Sequence, residues 1–151
     1  MYTPGNILYF TPFYFPNGQS PCKNKYFVVL KEEGDTVLVA GSATSKDYVP
    51  SFANKVHGCI NDDTINFNCY YFEKDRTITL NNWGFPDHTY LYGYSLENFN
   101  RKIFENIYKI ENVEYTIIGQ LSDLEFESLK ECMKNSKSVR RGIRRSLGST
   151  I

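Results

Sequence analysis

The sequence contains no apolar run long enough to cross a membrane as a helix. Its longest apolar runs, such as Tyr26 to Leu30 and Val37 to Ala40, fall far short of the roughly 18–20 residues that a spanning helix needs. The first residues also lack the charged region and apolar stretch of a secretory signal. We therefore expect a cytoplasmic protein that does not associate with membranes.

An excess of charge of either sign is also missing. The 17 Lys and Arg residues balance the 17 Asp and Glu residues, so the formal net charge is zero. This balance excludes a histone-like or polybasic protein as a class, but it is compatible with a local basic patch.

Cysteines are few, and they do not form a recognisable framework. Cys22, Cys59, Cys69 and Cys132 have wide and uneven spacing, which predicts reduced thiols rather than disulfides. His57, Cys59 and Cys69 also lack the short paired spacing of a structural zinc site. We therefore expect no metal and no other cofactor.

Aromatic residues, by contrast, are plentiful. They make up 16% of the 151 residues, a content that favours a sheet-rich fold and argues against disorder. A chain of this length corresponds to one domain. We expect residues 1–135 to form that domain and residues 136–151 to form a basic C-terminal segment.

Strands dominate the first two thirds of the chain. The most secure prediction is a hairpin of Tyr26 to Leu30 and Thr36 to Ala40, joined by a short turn at Gly34. A long loop is expected from Gly41 to Thr64. The other predicted strands are Gly5 to Phe10, Ile65 to Phe72, Arg76 to Leu80, His88 to Tyr94 and Val113 to Ile118.

Helical spacing appears only after Ser95, which we interpret as a helix N-cap ahead of Phe99, Ile103 and Ile107. A second helix is predicted from the capping box Ser122-Asp-Leu-Glu125. Together these elements predict a mainly β fold, a small and strongly bent sheet or barrel with helices appended.

Three segments in the order of one known family suggest a function. They are Gly5-Asn-Ile-Leu-Tyr-Phe10, Val39-Ala-Gly-Ser-Ala-Thr-Ser45 and Ile118-Gly-Gln-Leu-Ser-Asp-Leu-Glu-Phe126. The pattern resembles the MazF/PemK (Kid) toxins of bacterial toxin–antitoxin pairs. The resemblance implies an SH3-like barrel with a C-terminal helix, a homodimer, a small acidic antitoxin as partner, and ribosome-independent or ribosome-linked cleavage of RNA without a metal.

The resemblance also implies which residues form the site. Thr44 and Ser45 fall on the family's Thr-Ser pair in the substrate site, and Lys23 or Lys25 falls on its basic residue before the second strand. Where active members carry an acidic residue, this chain has Tyr94 and Ser95. That departure supports the alternative of a non-catalytic SH3-like module that binds RNA or a protein partner.

Metal-independent RNA cleavage needs a base for the 2′-hydroxyl, an acid for the leaving oxygen and cations around the phosphorane. The two histidines, His57 and His88, are the candidate acid–base residues, although loop histidines beside Gly or Pro are more often turn residues. Thr44 and Ser45 are candidate catalytic hydroxyls, or else side chains that cap a turn. Arg76 is a candidate phosphate ligand, or else one half of an ion pair at a turn.

Acidic residues are absent after Glu131, whereas cations accumulate there. The segment is either a solvated helix end, an RNA-phosphate contact or a surface that an acidic antitoxin covers. The candidate phosphate ligands in it are Arg140, Arg141, Arg144 and Arg145.

Overall fold

The structure, a computed structural model, describes residues 1–15 and 18–149. The strands of this part are β1 (Asn6–Phe13), β2 (Lys23–Glu33), β3 (Val37–Ala43), β4 (Gly58–Asp62), β5 (Phe67–Phe72), β6 (Thr89–Tyr92), β7 (Leu96–Asn100) and β8 (Tyr115–Gln120). The α-helices are α1 (Arg101–Ile107), α2 (Asp123–Lys134) and α3 (Arg141–Ser146). Within these residues, no helix has the length and apolar character needed to cross a bilayer.

The strands form two antiparallel sheets. A five-stranded sheet has the order β7-β3-β2-β1-β8, and a three-stranded sheet has the order β4-β5-β6. The predicted hairpin is the β2–β3 pair near the middle of the large sheet, where Phe27 lies opposite Ser42. The mainly β prediction with appended helices is therefore confirmed. In the described part of the chain, however, the two sheets do not close into a barrel.

A short backbone bridge joins the two sheets just beyond the end of β3. The Thr44 amide donates to the Tyr90 carbonyl at 3.0 Å, and the Tyr90 amide donates to the Thr44 carbonyl at 2.7 Å. Tyr90 belongs to β6, so this bridge places the chain after β3 beside the beginning of β6.

The central strands of the large sheet are buried on both faces, which explains the continuous apolar runs Phe27–Leu30 of β2 and Leu38–Ala40 of β3. On one face, Ile7 and Val28 pack with Tyr70 and Phe72 of the small sheet. On the other face, Leu8, Phe10 and Phe27 pack with residues that include Phe104 and Tyr108 at helix α1. The outer face of the small sheet carries a third cluster with Tyr71, Tyr90 and Tyr92.

Two predicted loop and strand boundaries are wrong. Strand β4 lies inside the predicted loop from Gly41 to Thr64, because its alternating residues Gly58 and Ile60 are buried against β5. The predicted strand Arg76 to Leu80 is instead a turn region. There the Ile78 amide donates to the Trp83 carbonyl at 2.9 Å, and only Thr79 forms a bridge, to Leu121.

The helix predicted from Ser95 begins later. Residues Leu96–Asn100 form β7, in which Phe99 pairs with Leu38 of β3. The N-cap of α1 is Asn100, whose side-chain oxygen accepts from the Ile103 amide at 3.2 Å. The edge of β3 takes β7 as its hydrogen-bonding partner, and this tertiary pairing outweighs the helical spacing of the apolar residues.

Helix α2 begins at the predicted residue. The Ser122 hydroxyl accepts from the Glu125 amide, as a capping box requires. The Glu125 carboxylate does not return to Ser122, whose amide donates to the Ile78 carbonyl instead. The helix packs mainly against β4 and β5.

The C-terminal segment is part of the same packing unit as far as the structure describes it. Val139 and Ile143 are buried in the main core cluster, and α3 contacts α2 and β7. The last two residues of the predicted basic segment 136–151 lie outside the described residues.

The prediction of four reduced thiols is wrong for two of them. Cys59 of β4 and Cys132 of α2 form a disulfide that closes a sequence separation of 73 residues. Cys22 is a free exposed thiol, and Cys69 is a free buried one. Cys59 faces α2 because it precedes buried Ile60 in the alternation of β4. Sequence spacing could not reveal this pair, which only the docking of α2 brings together.

We expect the oxidised protein to show two reactive thiols rather than four when it is denatured without reductant. Replacing Cys59 and Cys132 by Ser should lower the free energy of unfolding by roughly 2–4 kcal/mol, because the unfolded chain loses a long cross-linked loop. Thiol titration and urea unfolding measure the two effects. The control Cys22→Ser should leave stability unchanged within about 0.5 kcal/mol. A count of four thiols would contradict the assignment.

Candidate functional site

A groove of about 280 Å³ lies where the two sheets meet. Its cationic and hydroxyl side chains come from the beginning of β2 and from the chain that leaves β3. We call it the lysine groove and define it by Lys23, Lys25, Thr44, Ser45, Lys46 and Asp87. The structure thus brings together the lysines and hydroxyls that the sequence analysis assigned to one site.

Positive charge dominates the lysine groove, because three lysines line it with one carboxylate. The pKa of Lys25 is lowered, first by burial of its ammonium group and then by repulsion from Lys23 and Lys46. Both effects disfavour the charged form. An anion bound between the three lysines would relieve the repulsion between them.

Aromatic rings form one wall of the groove. Tyr9 and Tyr26 lie opposite each other on β1 and β2, with ring centroids 4.4 Å apart. Burial raises the pKa of the Tyr26 hydroxyl, and the nearby Tyr9 and Asp87 raise it further. Tyr26 is therefore a neutral hydrogen-bonding group at neutral pH.

The hydroxyl of Thr44 has a structural role that the sequence analysis considered. It accepts from the Lys46 amide at 3.2 Å and so stabilises the turn that follows the bridge to Tyr90. Thr44 is half-buried, while Ser45 and Lys46 are exposed. The turn presents the Ser45 and Lys46 side chains at the rim of the groove.

Asp87 and Lys46 are groove residues that the sequence analysis did not select. Asp87 follows Pro86 two residues before β6 begins, and the Thr89 hydroxyl donates to its carbonyl at 2.8 Å. The family resemblance directed attention to the end of this strand, at Tyr94, and not to its beginning. The Pro-Asp turn ahead of an aromatic strand was the available signal.

His88 lies next to the groove but is not among its lining residues. Its Nδ1 accepts from the Tyr71 hydroxyl at 2.8 Å and from the Lys74 amide at 3.2 Å. Tyr71 belongs to the outer face of the small sheet and Lys74 to the turn after β5, whereas Asp87 and Thr89 line the groove. We therefore do not include His88 in the candidate site.

His57 lies away from the lysine groove, on the face of the small sheet that packs against α2. Its Nε2 donates to the Glu125 carboxylate of α2, and its Nδ1 accepts from the Glu73 amide at 3.0 Å. The ring is 5% exposed and contacts Tyr70 and Phe72 edge-on. Both ring nitrogens are engaged, so His57 holds α2 on the sheet instead of facing the groove.

The Glu125 carboxylate is the other half of this contact. Burial alone would raise the pKa of Glu125, but hydrogen bonds from His57 and from the Tyr70 hydroxyl at 2.8 Å outweigh burial and lower it. Arg76, the predicted phosphate ligand, adds a smaller lowering effect from an exposed turn. Arg76 is not a lining residue of the lysine groove.

None of the four C-terminal arginines lines the lysine groove, and Arg140 lines a different concavity. A larger and more apolar groove of about 560 Å³ runs between β7, α1 and α3, and Arg140 lines it together with Phe99, Ile103 and Ile143. Arg140 donates to the Leu96 carbonyl, and Arg144 is half-buried. Arg141 and Arg145 are exposed. These four cations are therefore separate from the lysines of the candidate site.

Among the described residues, no group of three His, Cys, Asp or Glu side chains is placed to hold a metal ion. Comparison of the chain with protein-family models, with curated proteins and with solved structures finds no match in any of the three.

We expect Glu125→Gln to lower the free energy of unfolding at pH 7 by about 1–3 kcal/mol, because it removes a charge-assisted hydrogen bond. The folded-state pKa of Glu125 is below 4.5, so its stabilisation is present above that pH and is lost as the pH falls through the lowered pKa. The variant should therefore lose less stability than the wild type on acidification. Urea unfolding at several pH values measures this difference.

Glu127→Gln is the matched control, because Glu127 lies on the same helix with its side chain 62% exposed. It should change stability by less than about 0.5 kcal/mol at every pH. Equal effects of the two substitutions would refute the role assigned to the His57–Glu125 contact.

Proposed function

We propose that this protein binds RNA through the lysine groove. The observation that carries the proposal is the convergence of Lys23, Lys25 and Lys46 in one concave site, with Asp87 as the single carboxylate among its lining residues. RNA phosphates supply negative charge that balances the three lysines. Contacts between lysine or arginine and phosphate dominate the affinity of nucleic-acid-binding proteins.

The aromatic wall favours RNA over a small inorganic anion. Tyr9 and Tyr26 present a ring pair beside the lysines, and single-stranded nucleic acids are bound by cationic grooves that also offer rings for base stacking. The Thr44 and Ser45 hydroxyls add hydrogen-bonding groups for phosphate oxygens or for the 2′-hydroxyl.

The same groove favours an endoribonuclease of the MazF/PemK type over the non-catalytic module. Asp87 is the candidate base for the 2′-hydroxyl proton. Lys25 is the candidate acid for the leaving 5′-oxygen, since its lowered pKa brings it closer to neutral pH. Lys23 and Lys46 stabilise the charge of the phosphorane. Attack of the 2′-oxygen on phosphorus then yields a 2′,3′-cyclic phosphate and a 5′-hydroxyl end, without a metal.

The finer features of the same class are proposals with it. We interpret the two sheets as an opened SH3-like barrel, and the backbone bridge between Thr44 and Tyr90 supports this interpretation. The homodimer and the small acidic antitoxin remain inferences from the resemblance. For the antitoxin, the exposed Arg141 and Arg145 offer a surface of opposite charge.

We expect Lys25→Met to weaken binding of a short unstructured RNA about tenfold at low salt. This change corresponds to the loss of roughly 1.4 kcal/mol from a charge-assisted hydrogen bond to phosphate. The slope of log K against log salt should flatten by about 0.7, the value for one phosphate contact on a single strand. Fluorescence anisotropy at several salt concentrations measures both effects.

Lys102→Met is the control, because Lys102 is exposed on α1 and does not line the groove. It should leave the affinity and the slope unchanged.

Lys25→Met should also retain or raise the melting temperature at pH 7. The pKa of Lys25 is lowered in the folded protein, so at a pH below that pKa the charged lysine destabilises the folded state relative to the unfolded state, and Met removes this charge. Wild-type protein that does not bind RNA would refute the proposal.

We expect the wild type to cleave RNA in the presence of a chelator, and Asp87→Asn to slow cleavage by about 10²–10⁴-fold, the usual contribution of a general base. Binding should persist in this variant, because Asp87 contributes no positive charge. The wild-type rate should also fall as the pH rises through the lowered pKa of Lys25. Gel analysis of the RNA ends measures these effects. RNA that is bound but not cut would favour the non-catalytic module.

A further inference from the structure

A further concavity, of about 290 Å³, lies at the end of the small sheet where β5 begins and β6 ends. Its walls combine aromatic rings with amide and hydroxyl groups. We call it the tyrosine pocket and define it by Tyr48, Asn66, Phe67, Asn68, Tyr94 and Ser138. The residues assigned to RNA binding above do not include any of these.

A column of stacked tyrosine rings ends at this pocket. Tyr71, Tyr90, Tyr92 and Tyr94 follow one another with centroid separations of 5.2, 6.0 and 5.4 Å, and successive planes are within 18° of parallel. The first three residues are buried, whereas Tyr94 is 66% exposed. The last ring therefore presents an uncovered face or edge at the open end of the column.

Hydrogen bonds between the Tyr92 hydroxyl and the main chain fix the segment that carries Tyr48, another residue of the pocket. The Tyr92 hydroxyl donates to the Lys46 carbonyl at 2.6 Å and accepts from the Tyr48 amide at 2.7 Å. Tyr48 is 58% exposed, and its ring lies 5.6 Å from that of Tyr92. Tyr48 and Tyr94, both exposed, line the same pocket.

We propose that the tyrosine pocket binds a nucleobase of the RNA whose phosphates lie in the lysine groove. The inference rests on the proposed function and extends it from backbone binding to a base-binding subsite. Every base has a π-face that can stack on an exposed tyrosine, and Tyr48 and Tyr94 are the exposed rings of this pocket.

The chain connectivity places the two sites within reach of one strand. Lys46 lines the lysine groove, and Tyr48 lines the tyrosine pocket two residues later. Two residues span at most about 7 Å between Cα atoms. A phosphate at Lys46 and a base at Tyr48 can therefore belong to one RNA strand.

The test compares two probes of equal length, a short unstructured RNA and the same ribose-phosphate backbone without bases. We expect Tyr94→Ala to weaken RNA binding about 5- to 150-fold, which corresponds to the stacking of one base on one ring. Binding of the base-free backbone should not change. Tyr94→Phe should restore RNA affinity, because the ring is retained.

Phe52→Ala is the matched control for the loss of an exposed ring, since Phe52 is 73% exposed and lies outside the pocket. It should leave both affinities unchanged. RNA affinity that depends on Lys25 but not on Tyr94 would overturn the base subsite and leave the proposed function standing. Wild-type protein that does not bind RNA would overturn both. Equal weakening of both probes by Tyr94→Ala would also overturn the subsite, because it would indicate a distorted groove.

Discussion

Two backbone hydrogen bonds between Thr44 and Tyr90 determine where the candidate site lies. They hold the chain that leaves β3 against the beginning of β6, so that Lys46 and Asp87 line one groove although 40 residues separate them in sequence. The same junction leads the chain onward to Tyr48 and the tyrosine pocket. Without this bridge, the lysines of β2 would face solvent without the hydroxyls and the carboxylate opposite them.

The groove is built at some cost to the fold. Lys25 is partly buried next to two other lysines, and its lowered pKa shows that the folded protein disfavours its charge. Residues that destabilise a fold in this way are typical of functional sites. Other features stabilise the fold, namely the large sheet, whose central strands are buried on both faces, and helix α2. The Cys59–Cys132 disulfide and the His57–Glu125 contact fix α2 to the small sheet.

Local patterns predicted the hairpin β2–β3 and the start of α2 at Ser122, because turn chemistry and capping depend on neighbouring residues. The family resemblance, and not a local pattern, assigned Lys23, Lys25, Thr44 and Ser45 to one site, and all four line the lysine groove. Local patterns failed wherever a distant partner decides the outcome. Phe99 lies in a strand because β7 pairs with the edge of β3. Cys59 contacts Cys132 only because α2 packs against the small sheet.

The histidines illustrate the same limit within the site. His57 was a candidate because its residue type suits acid–base chemistry, yet Glu125 and the Glu73 amide occupy both of its ring nitrogens. Asp87 was overlooked because a carboxylate in a Pro-Asp turn has no distinctive spacing. Its position in the groove depends on the packing of β6 against β3, which no local motif encodes.

The central claim is that the lysine groove is where RNA binds, and amide chemical shifts during an RNA titration test it most directly. The account predicts that the amides of residues 23–26, 44–46 and 87–89 shift together and saturate at one RNA concentration. Shifts confined to residues 140–149, or shifts at the groove residues that are no larger than those of the rest of the chain, would contradict it.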